Sequence, residues 1–144
     1  MGDFMTVTSV KARGAGRYEA EVDESWTVRP LPQGGIVTAV ALRAMHAELG
    51  ESDQKLRSLH TTYVAQVAHG KLEIDVEVLR RGRSMSHLRA ETHGAEKPGG
   101  HITTAVFGAP RRGFTFTDLV PPTDAPPPAI CPSFRDPPAE GFTF

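Results

Sequence analysis

Residues 34–50 read Gly-Gly-Ile-Val-Thr-Ala-Val-Ala-Leu-Arg-Ala-Met-His-Ala-Glu-Leu-Gly. Apolar side chains fill most of this stretch and leave few positions for a polar face. A helix that is apolar nearly all round is buried on most of its sides. Gly50 stands where a glycine commonly follows the last helical residue. The stretch therefore predicts a central, buried helix over residues 35–49.

Alternating segments on both sides of this helix predict the strands that bury it. The clearest is residues 71–81, where Leu72, Ile74, Val76 and Val78 share one face and charged residues share the other. One helix among consecutive antiparallel strands predicts an α+β layer, because a sheet must bury its apolar face and no other apolar element is long enough. In chain order, the predicted strands are residues 6–12, 17–23, 56–68, 71–81, 84–93 and 101–108.

Proline divides the chain into two parts. Of the 12 prolines, only Pro30, Pro32 and Pro98 precede Pro110. Proline lacks a backbone donor and has a fixed φ, so the proline-rich end cannot form a central strand or a helix interior. We predict a folded domain over residues 1–110, followed by an extended wrap or an interdomain linker over residues 111–144.

Composition excludes several classes of protein. The net charge of −1 gives no global field that would attract nucleic acid or an anionic membrane surface. No apolar run approaches the roughly 20 residues that span a bilayer, and the first residues lack a signal pattern, so a cytoplasmic location is expected. Cys131 has no disulfide partner. The six histidines show no metal-ligand spacing, and we expect neither a metal nor a cofactor.

An ordered set of motifs runs along the chain. The motifs are Trp26, Pro32-Gln33-Gly34-Gly35, Leu56-Arg57-Ser58-Leu59-His60, Leu79-Arg80-Arg81-Gly82-Arg83-Ser84 and Thr103-Thr104-Ala105-Val106-Phe107. This set resembles the N-terminal hotdog domain of the acyl-CoA thioesterase II family and the related thioesterase-like superfamily, over about residues 20–110. The resemblance implies a hotdog fold, in which a curved antiparallel sheet wraps around one central helix. It also implies hydrolysis of fatty or other acyl-CoA thioesters.

The resemblance extends to half of such a protein. Family members usually carry two hotdogs in one chain, and their catalytic acid, Ser or Thr, and Gln lie in the second. No motif for that trio occurs in this sequence, so the resemblance implies no catalytic residue. The chain is then a fragment, a half completed by a separate chain, or one copy of a homodimer. The expected partners are a second hotdog and an acyl-CoA or other thioester.

Candidate substrate-binding residues lie at the start of the central helix. Backbone N–H groups at a helix N-terminus stabilise a developing oxyanion, and Gly34 and Gly35 would allow a ligand to approach closely. Alternatively, the two glycines serve only the turn and the packing of the helix on the sheet. Gln33 either donates a hydrogen bond to a thioester or caps the helix.

A second candidate group begins the strand after the helix. By the family's internal pseudo-symmetry, His60, Thr61 and Thr62 lie roughly where the second half places its hydroxyl residue. His60 either lines the groove or is a core or interface histidine. Three arginines, Arg80, Arg81 and Arg83, lie in the motif just before the next strand. They either contact a CoA phosphate or belong to a solvated turn.

The general base that hydrolysis needs is missing from the expected place. A carboxylate on or near the helix would serve, but Glu48, the helix's one acid, is at its far end. Asp23 and Glu24 either reach the site from a loop or are solvated. The missing acid favours an alternative function, a non-catalytic acyl-binding, lipid-binding or scaffold hotdog. A third hypothesis, a hotdog dehydratase, would need a histidine and an acid at the helix entrance, and Gln33 where the histidine might stand counts against it.

Overall fold

A computed structural model describes residues 3–28, 30–50, 52–95 and 99–131. It divides the chain into two compact units, residues 1–111 and 112–144. The described helices are α1 (Phe4–Val7) and α2 (Gly34–Leu49). The described strands are β1 (Lys11–Gly14), β2 (Arg17–Val22), β3 (Thr27–Val28), β4 (Leu31–Pro32), β5 (Lys55–Tyr63), β6 (Gly70–Arg81), β7 (Met85–Gly94) and β8 (His101–Gly108).

The main sheet wraps around α2. Within the described residues it has six antiparallel strands in the order β1-β2-β6-β7-β8-β5, and β3 and β4 form a separate ribbon before the helix. The helix packs on β2, β6, β7 and β8. The predicted architecture, a curved antiparallel sheet around one central helix, is confirmed. Although β5 follows α2 directly along the chain, it lies at the edge of the sheet beside β8.

The core lies between α2 and the inner face of the sheet. Apolar side chains of β6, β7 and β8 meet the helix there, and Leu72, Ile74, Leu88 and Phe107 are at most 1% exposed. This burial confirms the predicted central helix. A helix that is apolar nearly all round needs apolar neighbours on most of its sides. The buried residues of α2 are Ile36, Val37, Val40, Ala41, Ala44, Met45 and Leu49.

Two strand predictions need correction. The strand predicted over residues 6–12 is wrong, since residues 4–7 form α1 and β1 begins only at Lys11. The Asp3 carboxylate accepts the Thr6 N–H at 3.1 Å, and this cap favours a helical turn over an extended segment. The strand predicted over residues 56–68 ends at Tyr63. The next two N–H groups both donate to the Gly100 carbonyl and bend the chain away.

Arg81 fixes the C-terminal end of α2 to the sheet. Its guanidinium donates to the carbonyl oxygens of Leu49 at 2.7 Å and Glu48 at 3.0 Å. These carbonyls have no partner within the helix, and a cation is favourable at the negative end of a helix dipole. One arginine of the predicted cluster therefore has a structural contact, although Arg80, Arg81 and Arg83 are all exposed.

Tyr18 ties the same end of the helix to β2. Its hydroxyl donates to a carboxylate oxygen of Glu48 at 2.7 Å. Burial and the hydrogen bond to this carboxylate raise the pKa of Tyr18 to about 12. The acid at the far end of α2 thus holds helix and sheet together.

Replacing Tyr18 by phenylalanine is expected to lower the free energy of unfolding by about 1–2 kcal/mol, because the ring stays while a hydrogen bond to a charged acceptor is lost. Urea unfolding at neutral pH measures the change. The folded-state pKa lies above the unfolded value of about 10. The contribution of Tyr18 is therefore complete below pH 10 and is lost as the pH rises toward about 12. Equal alkaline loss in Y18F and the parent protein would contradict this assignment.

The second unit is described as far as Cys131. Residues 112–131 contain no strand or α-helix, only a 3₁₀ turn at Pro128–Ile130, and they are exposed. The role of this segment as an interdomain linker stays a prediction. Across the described residues, no helix has both the length and the apolar character that crossing a membrane requires.

Candidate functional site

A cavity of about 340 Å³ lies at the N-terminal end of α2. Its walls come from β4, the first residue of α2, the end of β5, the loop that follows β5, and the first residue of β8. The sheet order produces this arrangement, because β5 and β8 are neighbours although β6 and β7 separate them along the chain. The cavity is therefore beside both the positive end of the helix dipole and the edge strand.

Local sequence explains how α2 begins at this cavity. The Gln33 side chain accepts the Ile36 N–H at 3.1 Å and caps the helix, which is one of its two predicted roles. A Cβ atom on Gly34 would lie 2.8 Å from the Tyr63 ring, so glycine permits the ring to cover the helix start. A Cβ atom on Gly35 would lie 2.9 Å from the side-chain oxygen of Gln33.

Hydroxyl groups connect the helix to β5 and β8 next to the cavity. Thr38 donates to Thr61 at 3.2 Å, and the hydroxyls of Thr61 and Thr103 are 3.1 Å apart. The Tyr63 hydroxyl lies 3.4 Å from that of Thr38. Thr61, predicted from the sequence, therefore faces the helix, and this network holds it beside a tyrosine that the sequence analysis did not select.

Strand alternation separates the other two predicted residues from Thr61. His60 and Thr62 precede and follow it in β5, so they lie on the opposite face of the sheet. His60 is exposed in this chain, which contradicts its interpretation as a core histidine. Gln33, Gly34, Gly35 and Thr61 share the helix side of the sheet, and His60 and Thr62 do not.

The two loop acids do not line the cavity. Asp23 caps the 3₁₀ turn Glu24–Trp26, where its carboxylate accepts the Ser25 N–H at 2.8 Å. Hydrogen bonds from the hydroxyl and the amide of Ser25 lower the pKa of Asp23. Both Asp23 and Glu24 are exposed. Asp23 therefore serves the turn, and no described residue lining the cavity is an acid.

His101 lines the cavity and was missed by the sequence analysis. Only 6% of the residue is exposed, and its ring meets the Tyr63 ring edge-on with centroids 4.6 Å apart. Its Nδ1 is buried and has no hydrogen-bond partner in the described part of the chain. Burial lowers the pKa of His101 and so favours its neutral form. The sequence did contain a signal for this burial. The residues His101, Thr103, Ala105 and Phe107 occupy every second position of β8 and therefore share its buried face.

A larger neighbouring cavity, of about 560 Å³, shares Leu31 and Gln66 with the first. Lys71 and His69 line it, and both already have partners. Lys71 pairs with Glu19 at 2.9 Å, and His69 lies 2.9 Å from the Thr27 hydroxyl. No group of three or more potential metal ligands occurs among the residues that the structure describes.

The fold and the cavity at the helix N-terminus define a hotdog domain. Residues 22–108 match the family model described as "Acyl-CoA thioesterase N-terminal domain", which is more than half of the chain. The chain belongs to this family. The resemblance inferred from the ordered motifs is confirmed.

Several solved structures are similar to the chain. One is a conserved protein of unknown function with a hot dog fold from Alicyclobacillus acidocaldarius, at a TM-score of 0.82 and 26% identity over 94% of this chain and 50% of that one. Another is the acyl-CoA thioesterase II TesB2 from Mycobacterium marinum, at 0.73 and 20% identity over 90% and 47%. The chain thus spans about half the length of these two proteins.

A third similar structure is the BH2602 protein from Bacillus halodurans with CoA. It has a TM-score of 0.62 and 14% identity, and the match covers 70% of this chain and 71% of that one. At this identity the likeness concerns the fold. Comparison with curated protein sequences finds no significant match.

Proposed function

We propose that this chain is an acyl-CoA thioesterase-type hotdog module. It binds a fatty or other acyl-CoA thioester at the N-terminus of α2, and it needs a second hotdog to complete hydrolysis. The observation that carries the proposal is that the cavity at the helix N-terminus lies directly beside an edge strand. Membership of the thioesterase N-terminal domain family supports the same ligand class, as does the similar BH2602 protein from B. halodurans with CoA.

The helix start would polarise the thioester carbonyl. The N–H groups of the first helical turn lack partners within the helix, and that of Ile36 is already occupied by Gln33. The N–H groups of Gly34 and Gly35 are then the proposed donors to the oxygen, on which negative charge develops during attack. Thr61 would support them from β5 through its hydrogen bond with Thr38.

The helix-facing side of β5 would guide the acyl chain. Leu56 and Leu59 lie opposite the inward-facing Phe107 and Ala105 of β8, yet they are 40% and 38% exposed. Tyr63 continues this side toward the cavity and is 58% exposed. Apolar side chains on an edge strand are an association site unless something covers them. A second hotdog on β5 would bury this strip and enclose the acyl chain.

The second hotdog lies either further along a longer chain or in a second copy. The relatives from A. acidocaldarius and M. marinum are about twice as long as the matched part, which supports the first arrangement. An isolated 144-residue chain is expected to form the second, a homodimer through β5, because two identical edges are self-complementary in an antiparallel pair.

The general base is expected outside this chain. The cavity walls contain no described acid, and Glu48 accepts the Tyr18 hydroxyl at the other end of α2. The purified chain should therefore bind acyl-CoA compounds and hydrolyse them slowly or not at all. Thiol release from a panel of acyl-CoA thioesters measures the turnover. Robust turnover that survives substitution of Asp23, Glu24 and His60 would contradict a general base outside this chain.

A non-catalytic acyl-binding or scaffold hotdog is the second candidate function. The missing carboxylate in the middle of the helix favours it, since Ala41, Leu42 and Arg43 occupy the positions where an acid would serve. The two functions differ once a second hotdog of the family is supplied. A thioesterase half gains turnover in that mixture, whereas a binding module retains the acyl-CoA without hydrolysis.

A further inference from the structure

Residues 113–120, the tail segment, carry an exposed set of large apolar side chains. They read Gly-Phe-Thr-Phe-Thr-Asp-Leu-Val, and two prolines follow. Linkers that only separate domains are typically rich in glycine, serine, proline or charged residues. Large apolar side chains that share an exposed segment indicate a contact surface instead. In the tail segment they are at least 80% exposed, and they are Phe114, Phe116, Leu119 and Val120.

The chain leaves the hotdog at the beginning of the edge strand. Gly108, the last residue of β8, pairs with Lys55, the first residue of β5. Arg57 of β5 donates to the carbonyl oxygens of Gly108 and Ala109, both at 3.1 Å. The chain is therefore attached to the Lys55 end of β5 as far as Ala109. Phe114 is five residues further on, and a chain of that length spans at most about 18 Å.

An antiparallel pair of β5 strands brings opposite ends of two copies together. The strand runs from Lys55 to Tyr63 with Leu59 at its centre, so a symmetric pair places Lys55 opposite Tyr63 of the partner subunit. The partner's β5 is then two strand spacings from β8, roughly 10 Å, which the tail segment can cross. In each copy, the exposed Tyr63 and Val64 line the cavity at the N-terminus of α2. The tail of one copy thus begins beside the cavity of the other.

We propose that the tail segment of each copy covers the cavity at the N-terminus of α2 in the other copy. This inference rests on the proposed function, which pairs two isolated chains through β5. Phe114 and Phe116 are two residues apart, so an extended chain places both rings on one side. These rings pack against Tyr63 and Val64 of the partner subunit, and the exposed apolar groups of both chains leave water together. Each ligand site is therefore incomplete without the tail of the other chain.

Disulfide cross-linking between two different chains tests this contact. Both carry Cys131→Ser, which removes the one cysteine of the sequence. One chain adds Thr117→Cys next to the phenylalanines, and the other adds Gln66→Cys on the exposed part of the cavity wall. The mixture should form a two-chain disulfide under mild oxidation, and mass spectrometry identifies the peptides that it joins. Glu77→Cys, at an exposed position of β6 within the sheet, replaces Gln66→Cys in the matched control and should not cross-link.

Replacing both phenylalanines by serine tests the energetic contribution of the segment. Phe114→Ser with Phe116→Ser should weaken self-association about tenfold or more, because two aromatic side chains no longer leave water. Ile130→Ser is the control, since Ile130 is also an exposed apolar residue of the tail but lies beyond the proposed contact. This change should leave the association unaltered, and sedimentation equilibrium measures both variants.

The outcomes separate this inference from the function on which it rests. If the chains pair but Glu77→Cys cross-links as well as Gln66→Cys, the proposed cover over the cavity is wrong. It is also wrong if the chains pair and the two serine substitutions change association no more than Ile130→Ser does. A parent protein that remains a single chain at high concentration contradicts the pairing through β5 itself, and the inference fails with it.

Discussion

Gly100→Ala is expected to lower the free energy of unfolding by about 3 kcal/mol or more, because the new methyl group meets backbone atoms that cannot move aside. A Cβ atom on Gly100 would lie 3.0 Å from the Thr92 carbonyl carbon and 3.1 Å from the His93 Cα, and closer still to the Thr92 oxygen. The Gly100 carbonyl also accepts the N–H groups of Val64 and Ala65, both at 2.9 Å. The substitution should therefore disturb the cavity wall as well as the sheet.

Gly94→Ala is the control for this substitution. Gly94 ends β7, and a Cβ atom there would meet nothing within 4 Å. A glycine that can accept a methyl group without strain is neutral or slightly stabilising when replaced by alanine. Urea unfolding of both variants measures the difference. Equal stability of G100A and G94A would show that β7 and the start of β8 are not as close as the structure has them.

Leu59→Lys is expected to weaken self-association of the isolated chain on the order of a hundredfold, because it places an unpaired charge in the proposed contact. Leu59 lies in edge strand β5 and is 38% exposed. In the proposed pair this side chain is buried by the second hotdog. Lysine on an edge strand is also a common device against edge-to-edge pairing. Sedimentation equilibrium should give the mass of two chains for the parent protein and of one chain for L59K.

Leu79→Lys tests whether the charge acts through the edge. Leu79 is 54% exposed, but it lies in β6, which is within the sheet. L79K should keep the mass of two chains, and circular dichroism should show both variants folded. A parent protein that stays a single chain at high concentration would contradict the proposed pairing. So would an L59K variant that associates as well as L79K.

The sequence was most informative where one side of an element meets the core and the other meets water. The alternation of residues 17–23 and 71–81 was sufficient because their apolar faces pack on α2. The helix was predictable for the opposite reason, since its apolar residues occupy nearly the whole circumference. The strand prediction for residues 6–12 was wrong. The β-branched residues there favour a strand, but the Asp3 cap stabilises a helical turn at Phe4–Val7.

Half of the candidate site could also be predicted from the sequence. Glycine beside an apolar helix indicated the helix start, and Gln33 was recognised as either a ligand or a cap. The contact between Tyr63 and His101 was not predictable, because only the order of the strands makes β5 and β8 neighbours. Strand alternation alone could have separated the three predicted residues of β5, because Thr61 cannot lie on the same face of the sheet as His60 and Thr62.

Hydrogen exchange of the chain, with and without a non-hydrolysable acyl-CoA analogue, measures where the ligand binds. Binding at the N-terminus of α2 beside β5 should slow exchange in residues 34–37 and 61–67. Exchange should stay unchanged at Arg13, Arg17 and Asp75, which line a separate surface groove of charged residues. Slower exchange confined to that groove, or no change around the start of α2 when the ligand is bound, would contradict the proposed site.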